Sequence, residues 1–278
     1  MNPHIDASDG PSSSRKVTTH SLLHMKQAGQ KISCLTAYDH LMAELLDKAG
    51  VDLILVGDSA AMTIQGRHTT VSVTMQQMLY HASTVTSAVE RALVVGDLPF
   101  MSYHINPDEA LRNAGRMIQE SLVEAVKLEG GQLMAPTIRR IVDAGIPVMG
   151  HLGLTPQSIL KFGTYQVRAT ESEEAEQLRK DALAIQEAGV FAMVIEKVPS
   201  ELASEISKMV DVPVIGIGAG PGCDGQILVS HDMLGLYTKF KPRFVRRYAE
   251  LAETMKSAFE EYVDDVRSEN FPSADESY

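Results

Sequence analysis

Five short apolar runs in this chain each stop at a residue that can carry charge. Leu55-Val56-Gly57 leads to Asp58 and Ser59, and Val94-Val95-Gly96 leads to Asp97. Lys127 and Glu129 stand two residues apart in AVKLEGG, Gly150 precedes His151, and Val194-Ile195 precedes Glu196. Singly, an Asp after a strand is a turn former or helix cap, and a His there is a hydrogen-bonded structural group. Together, four carboxylates around one lysine would repel one another in a desolvated pocket unless something neutralised them. Lys127 offsets one charge, and a divalent cation would offset two more. Carboxylates from Asp58, Asp97 and Glu129 suit a hard ion that keeps water or substrate oxygens, so magnesium fits better than zinc. Such an ion can chelate a 2-oxo acid through its carboxylate and keto oxygens and so acidify the adjacent carbon. Glu196 is the carboxylate left over to act as base. Lys127 is read as a charge partner for substrate oxygens and Ser59 as a hydrogen-bond donor to them. A Schiff base on Lys127, making a metal-free aldolase, ranks second, because the surrounding carboxylates favour a charged and poorly nucleophilic ammonium. His151 either touches ligand or braces the rim.

The elements that must carry these groups repeat along the chain. Short apolar runs occupy 31–39, 52–58, 93–99, 125–131, 147–153, 190–196, 212–218 and 225–232. Four to six consecutive apolar residues without polar alternation suit strands buried on both faces of a parallel sheet. Between them lie helical patterns. Thr74 caps one over 74–90, Asn106-Pro107 opens one over 106–122, and Gly189 stops one over 171–189, which carries a capping-box pattern only in part. Eight units in 278 residues leave about 35 residues each, the arithmetic of one (β/α)8 TIM barrel, whose active site lies at the C-terminal strand ends. A doubly wound sheet would need a glycine-rich first turn, but the first run ends in TAYDH. Gly216, Gly218, Gly220 and Gly222 come late and read as tight turns at a strand end. The reading therefore places flexible tails at 1–17 and 266–278 around a single catalytic domain over 18–265. A last helical pattern over 242–264 carries Phe244, Tyr248, Leu251, Met255, Phe259 and Val263, a stripe expected in a core or a subunit interface. Lys239, Lys241, Arg243, Arg246 and Arg247 beside it read as a solvated face or as ion-pair partners of a neighbouring subunit.

Composition closes other routes. The formal charge of −11 argues against a nucleic-acid backbone or an anionic membrane as the main partner. Two cysteines, Cys34 and Cys223, make neither a disulfide framework nor a zinc site. No apolar run approaches the roughly 18 residues of a bilayer span. The N-terminal MNPHIDASDGPSSSRK resembles neither a secretion signal nor a transit peptide, so a soluble, cytoplasmic protein is expected.

Several segments together carry a family resemblance: TAYDHLMAELLDKAGVDLILVGDSAAMTIQGRHTT, VTMQQMLYH, DLPFMSY, VKLEGG, GHLGLTPQS, VIGIGAG and DGQILVSHDMLG. In this order the chain resembles the ketopantoate hydroxymethyltransferases from about 31 to 262. The resemblance implies a magnesium-dependent barrel of the phosphoenolpyruvate/pyruvate type. It would move a hydroxymethyl group from 5,10-methylenetetrahydrofolate to 3-methyl-2-oxobutanoate, giving 2-dehydropantoate for pantothenate and coenzyme A synthesis. Carried over, the metal ligands fall on Asp58, Asp97 and Glu129, the ketoacid contacts on Asp58, Ser59, Asp97 and Lys127, and the proton acceptor on Glu196. A homo-oligomer, a decamer in the family, is implied. The chain departs from the family at Val71-Ser72, at Pro221-Gly222-Cys223 and at Lys197, none of which removes a metal ligand or the base. Lys197 is expected on the opposite face from Glu196. Two other classes stay in view: a metal-dependent C–C lyase or mutase on a small oxo acid, and a non-catalytic barrel, which would be expected to lack one of the four carboxylates.

Overall fold

The computed structural model describes residues 15–238 and 241–278. Most of the expected N-terminal tail, and Lys239 of the basic cluster, lie outside the described residues. Lys16 and Val17, at the tail's end, are tied down: the Lys16 ammonium donates to the Ala92 carbonyl at 2.7 Å, and the Val17 N–H donates to the Arg91 carbonyl.

Eight parallel strands close a barrel in sequence order: β1 (Ile32–Thr36), β2 (Leu53–Val56), β3 (Leu93–Asp97), β4 (Ala125–Lys127), β5 (Val148–Gly153), β6 (Ala192–Glu196), β7 (Val214–Ile217) and β8 (Gly225–Leu228). Helix α1 (Thr19–Gln27) precedes β1, and α2 (His40–Lys48) leads to β2. The short α3 (Ala60–Thr63) and then α4 (Met75–Thr86) lead to β3, α5 (Pro107–Ser121) to β4, and α6 (Ala135–Val142) to β5. The one-turn α7 (Ile159–Phe162) and α8 (Ser172–Glu187) lead to β6, and α9 (Ser200–Met209) to β7. The expected (β/α)8 barrel is what forms. No helix among the described residues is long and apolar enough to cross a membrane.

Helix starts follow local chemistry. Thr74 and Gln77 close a reciprocal capping box at α4, and Asn106 accepts the Glu109 N–H ahead of Pro107 at α5. The partial pattern over 171–189 closes no capping box: α8 opens at Ser172, and Glu171 makes no side-chain cap.

Alternation along the strands decides what enters the lumen. Ile32, Cys34, Leu53, Leu55, Leu93, Val95, Ala125, Met149, Ala192, Val194 and Ile215 belong to one buried apolar cluster, and they occupy alternate strand positions. The intervening residues, such as Ile54, Val94, Val126, Val148 and Met193, pack with the helices in a second cluster. Continuing the inward rows by two residues reaches Asp97, Lys127, His151 and Glu196. The barrel's apolar plug therefore ends in a layer of charge.

Residues Leu228–Tyr278 form a second compact unit, with α10 (Ser230–Met233) and α11 (Leu251–Arg267). The helix expected over 242–264 is corrected here: it starts nine residues later, at Leu251. The Tyr248 and Leu251 N–H groups donate to the Met233 and Leu234 carbonyls, not to carbonyls four residues back, so Phe244 and Tyr248 stand outside it. No residue of α11 is buried, and Phe259 is 62% exposed, so within the single chain the stripe is not core.

Candidate active site

Register builds the first contact of the site. Asp97 at the end of β3 is the Cα partner of Lys127 at the end of β4, and the Lys127 ammonium donates to Asp97 Oδ1 at 2.6 Å. Both side chains are buried, so this is a charge-assisted bond without competing water. The other Asp97 oxygen accepts the Asp58 backbone N–H at 3.2 Å, which ties β3 to the turn after β2.

Glu129 lies beyond β4, not within it, because the strand ends at Lys127. It still turns inward: its Oε1 stands 3.9 Å from the Lys127 ammonium and 3.3 Å from His151 Nδ1. On the ring's other side, Nε2 lies 3.4 Å from Glu196 Oε2. The imidazole thus sits between two carboxylates, at separations longer than a strong hydrogen bond, and neither ring nitrogen nor Glu129 Oε1 has a well-aligned hydrogen-bond partner. Gly153 lets β5 pass close to the base: at φ +85°, a Cβ there would meet the Glu196 carbonyl oxygen at 2.3 Å.

All six charged groups named above are therefore brought together. Ser59 is half-buried, and its hydroxyl is 2.8 Å from the Tyr38 hydroxyl. Lys197, where a strand position opposite Glu196 is expected, has left the strand: its φ is +47°, and its ammonium donates to the Tyr165 carbonyl. It pins the loop before α8.

Two residues without a role in the sequence reading complete the pocket. The Gln157 amide donates from Nε2 to Asp58 Oδ2 and to the Leu98 carbonyl, both at 3.0 Å. Its backbone N–H donates to Glu129 Oε2 at 3.0 Å, and the Tyr103 hydroxyl donates to its Oε1 at 2.7 Å. Gln157 lies in the quoted GHLGLTPQS and Tyr103 in DLPFMSY, but neither type announces a position beside a carboxylate from another strand.

Burial, with Asp97 and Glu129 adding repulsion, pushes the Asp58 carboxyl up to about 8. Asp97 is also pushed up, by burial and Glu129 against the pull of Lys127. Burial would drive Lys127 and His151 down, but the carboxylates outweigh it: Lys127 is raised, and His151 reaches about 9 through Glu129 and Glu196. Burial opposes ionisation of Glu129 too, yet His151, Lys127 and the Gln157 N–H hold it below the usual range. The raised Asp58 carboxyl favours its neutral form without a cation; were all four carboxylates ionised, they would face one ammonium and one imidazolium. Two charges would be left over, as one divalent cation would supply.

Among the described residues, no three His, Cys, Asp and Glu side chains form a ready-made ion cage. Asp58 has one carboxylate oxygen pinned by Gln157, and both Asp97 oxygens already accept hydrogen bonds. The donor set is all oxygen and anionic, which fits a hard divalent ion that takes one or two carboxylates and completes its shell with ligand oxygens or water. Asp58 and Asp97 would hold it, with Glu129 beside them.

A protein-family model described as ketopantoate hydroxymethyltransferase matches residues 16–274. The 3-methyl-2-oxobutanoate hydroxymethyltransferase of Chlorobaculum tepidum is 57% identical over 266 residues, covering 94% of this chain and 96% of that one. The protein of the same name from Christiangramia forsetii is 58% identical over 264 residues, covering 95% and 97%. Among solved structures, phosphonopyruvate hydrolase in complex with oxalate and Mg++ superposes with a TM-score of 0.63 at 13% identity, over 94% of this chain and 93% of that one. A 2,3-dimethylmalate lyase of the PEP mutase/isocitrate lyase superfamily gives 0.57 at 17% identity, over 93% and 90%. At such identities these two likenesses concern the fold alone.

Proposed function

We infer the reaction from one premise: the chain belongs to the ketopantoate hydroxymethyltransferase family. It is a transferase that adds a hydroxymethyl group to 3-methyl-2-oxobutanoate, forming 2-dehydropantoate on the way to pantothenate. The lyase or mutase alternative has only fold-level likeness behind it, whereas relatives carrying the transferase name share more than half of the chain's residues. The one-carbon donor in this reading is 5,10-methylenetetrahydrofolate, with water supplying the hydroxyl oxygen and tetrahydrofolate as the second product. The resident ion is magnesium, which when bound supplies Lewis acidity toward the ketoacid's oxygens.

The single observation that supports these residue roles is the meeting of two groups of side chains in one lumen. Asp97–Lys127, with Asp58, forms the half that binds and neutralises, and Glu129–His151–Glu196 forms the half that moves a proton. Lys127 presents its ammonium to the carboxylate and keto oxygens of the substrate, and Ser59 adds a hydroxyl. Their positive charge and hydrogen bonds favour the enolate over the ketone, which is where catalysis must act. Glu196 takes the proton from carbon 3, and His151 holds that carboxylate toward the barrel axis. Carbon 3 then bonds to the donor's one-carbon unit, whose bonds to the folate nitrogens break as water supplies the hydroxyl oxygen and tetrahydrofolate leaves. Lys127 keeps its proton throughout, because three carboxylates stabilise the ammonium. Assembly into a homo-oligomer, a decamer, and a cytoplasmic location belong to the same reading.

The test is 2-dehydropantoate formation from the ketoacid, formaldehyde and tetrahydrofolate, with and without magnesium. Magnesium-dependent product is the expected result. Absence of product with active cofactor, or full activity after exhaustive chelation, contradicts the reading.

A further inference from the structure

Gln157 joins groups from three strand ends, and its hydrogen bonds run in one direction. The Glu129 backbone N–H donates to the Tyr103 hydroxyl oxygen at 3.2 Å. The hydroxyl hydrogen is then free to go to Gln157 Oε1, at 2.7 Å. That fixes the carboxamide with its nitrogen toward Asp58 Oδ2 and the Leu98 carbonyl, two acceptors that demand a donor. The amide is 3% exposed, so water cannot replace these bonds. A flipped amide would set oxygen against two oxygens and leave the Tyr103 hydroxyl hydrogen without its acceptor.

From this network we propose that Gln157 is a positioning residue for the Asp58 carboxylate, with Tyr103 locking the direction of its amide. The network pins Asp58 Oδ2 and leaves Oδ1 to face cation and ketoacid. The Gln157 backbone N–H meanwhile pins Glu129 Oε2 and leaves Oε1 toward Lys127 and His151. One residue on the turn after β5 thus sets the facing oxygen of carboxylates that follow β2 and β4. Neither Gln157 nor Tyr103 needs to touch substrate. The inference rests on the reading of Asp58 as a ligand of cation and ketoacid.

Calorimetric titration with Mn2+ and, separately, with 3-methyl-2-oxobutanoate tests it on the full chain. Gln157→Met keeps length and volume and removes donor and acceptor; Tyr103→Phe removes only the hydroxyl. Gln157→Met should weaken Mn2+ about 10–100-fold, as loss of a partner that orients a metal ligand does. Tyr103→Phe should weaken it several-fold while melting near wild type, and it carries the test should Gln157→Met not fold. In ketoacid proton exchange, both should raise KM and leave the saturated rate nearly unchanged, a split that general loosening would not give. Wild-type affinities for Mn2+ and ketoacid in folded variants overturn the proposal. If wild type itself takes up no cation, the metal reading fails instead, and the ketoacid titration still decides for or against Gln157 and Tyr103: weakened binding supports their role, and unchanged binding rejects it.

Discussion

His151 Nε2 stands 3.4 Å from Glu196 Oε2, and the same ring's Nδ1 stands 3.3 Å from Glu129 Oε1. The base is therefore linked through one imidazole to Glu129, whose Oε1 in turn faces the Lys127 ammonium at 3.9 Å. Burial of an ionised carboxylate is costly without such a partner.

His151→Gln keeps one donor of similar reach and loses the bridge to the second carboxylate. Turnover should fall about 10–100-fold, less than the roughly 10²–10⁴-fold expected for loss of the base itself. Ketoacid KM should change little. Steady-state kinetics check this, and an unaltered kcat would leave His151 as a brace.

Lys127 is expected to act by charge alone. Borohydride treatment in the presence of 3-methyl-2-oxobutanoate should leave the protein mass unchanged, as read by mass spectrometry. Lys127→Met should lower stability by about 3–5 kcal/mol, because it strands buried carboxylates without their counter-charge. A reduced adduct on Lys127 would restore the aldolase reading.

Much of this arrangement is legible in the sequence because strands alternate. Asp97, Lys127, His151 and Glu196 continue inward rows that begin as Leu93, Ala125, Met149 and Ala192, so strand-end charges had to share a lumen. Glu129 reached the same lumen by a different route, after its strand had ended. Gln157 was not legible: it contacts Asp58 across 99 positions, from a short 3-10 turn with no periodicity to orient it. Tyr103 reads as core by type, and it is core; only its hydroxyl serves the site. The late start of α11 was hidden because its apolar spacing continues back through Phe244, while backbone bonds to Met233 and Leu234 interrupt the helix.

Acid stability should depend on Asp47, far from the chemistry. Its carboxylate at the end of α2 accepts the Glu90, Arg91 and Ala92 N–H groups ahead of β3, the shortest at 2.7 Å. Partial burial opposes ionisation, but these bonds outweigh it and hold the group below its ordinary 3.8. A depressed carboxylate contributes stability that is complete above the unfolded value and is lost as pH falls through the folded one. Asp47→Asn should therefore melt several degrees below wild type at neutral pH, with the gap closing as pH falls below the ordinary carboxylate range. A gap that stays constant with pH would show that charge is not the cause.

In the proposed mechanism Glu196 takes the carbon 3 proton. With folate omitted and magnesium present, wild-type enzyme in heavy water should exchange that proton of 3-methyl-2-oxobutanoate for deuterium, followed by NMR. Glu196→Gln keeps the shape and removes the basicity, so exchange should fall by roughly 10²–10⁴-fold while ketoacid binding persists. Exchange by Glu196→Gln at the wild-type rate would contradict the account and assign the proton to another group.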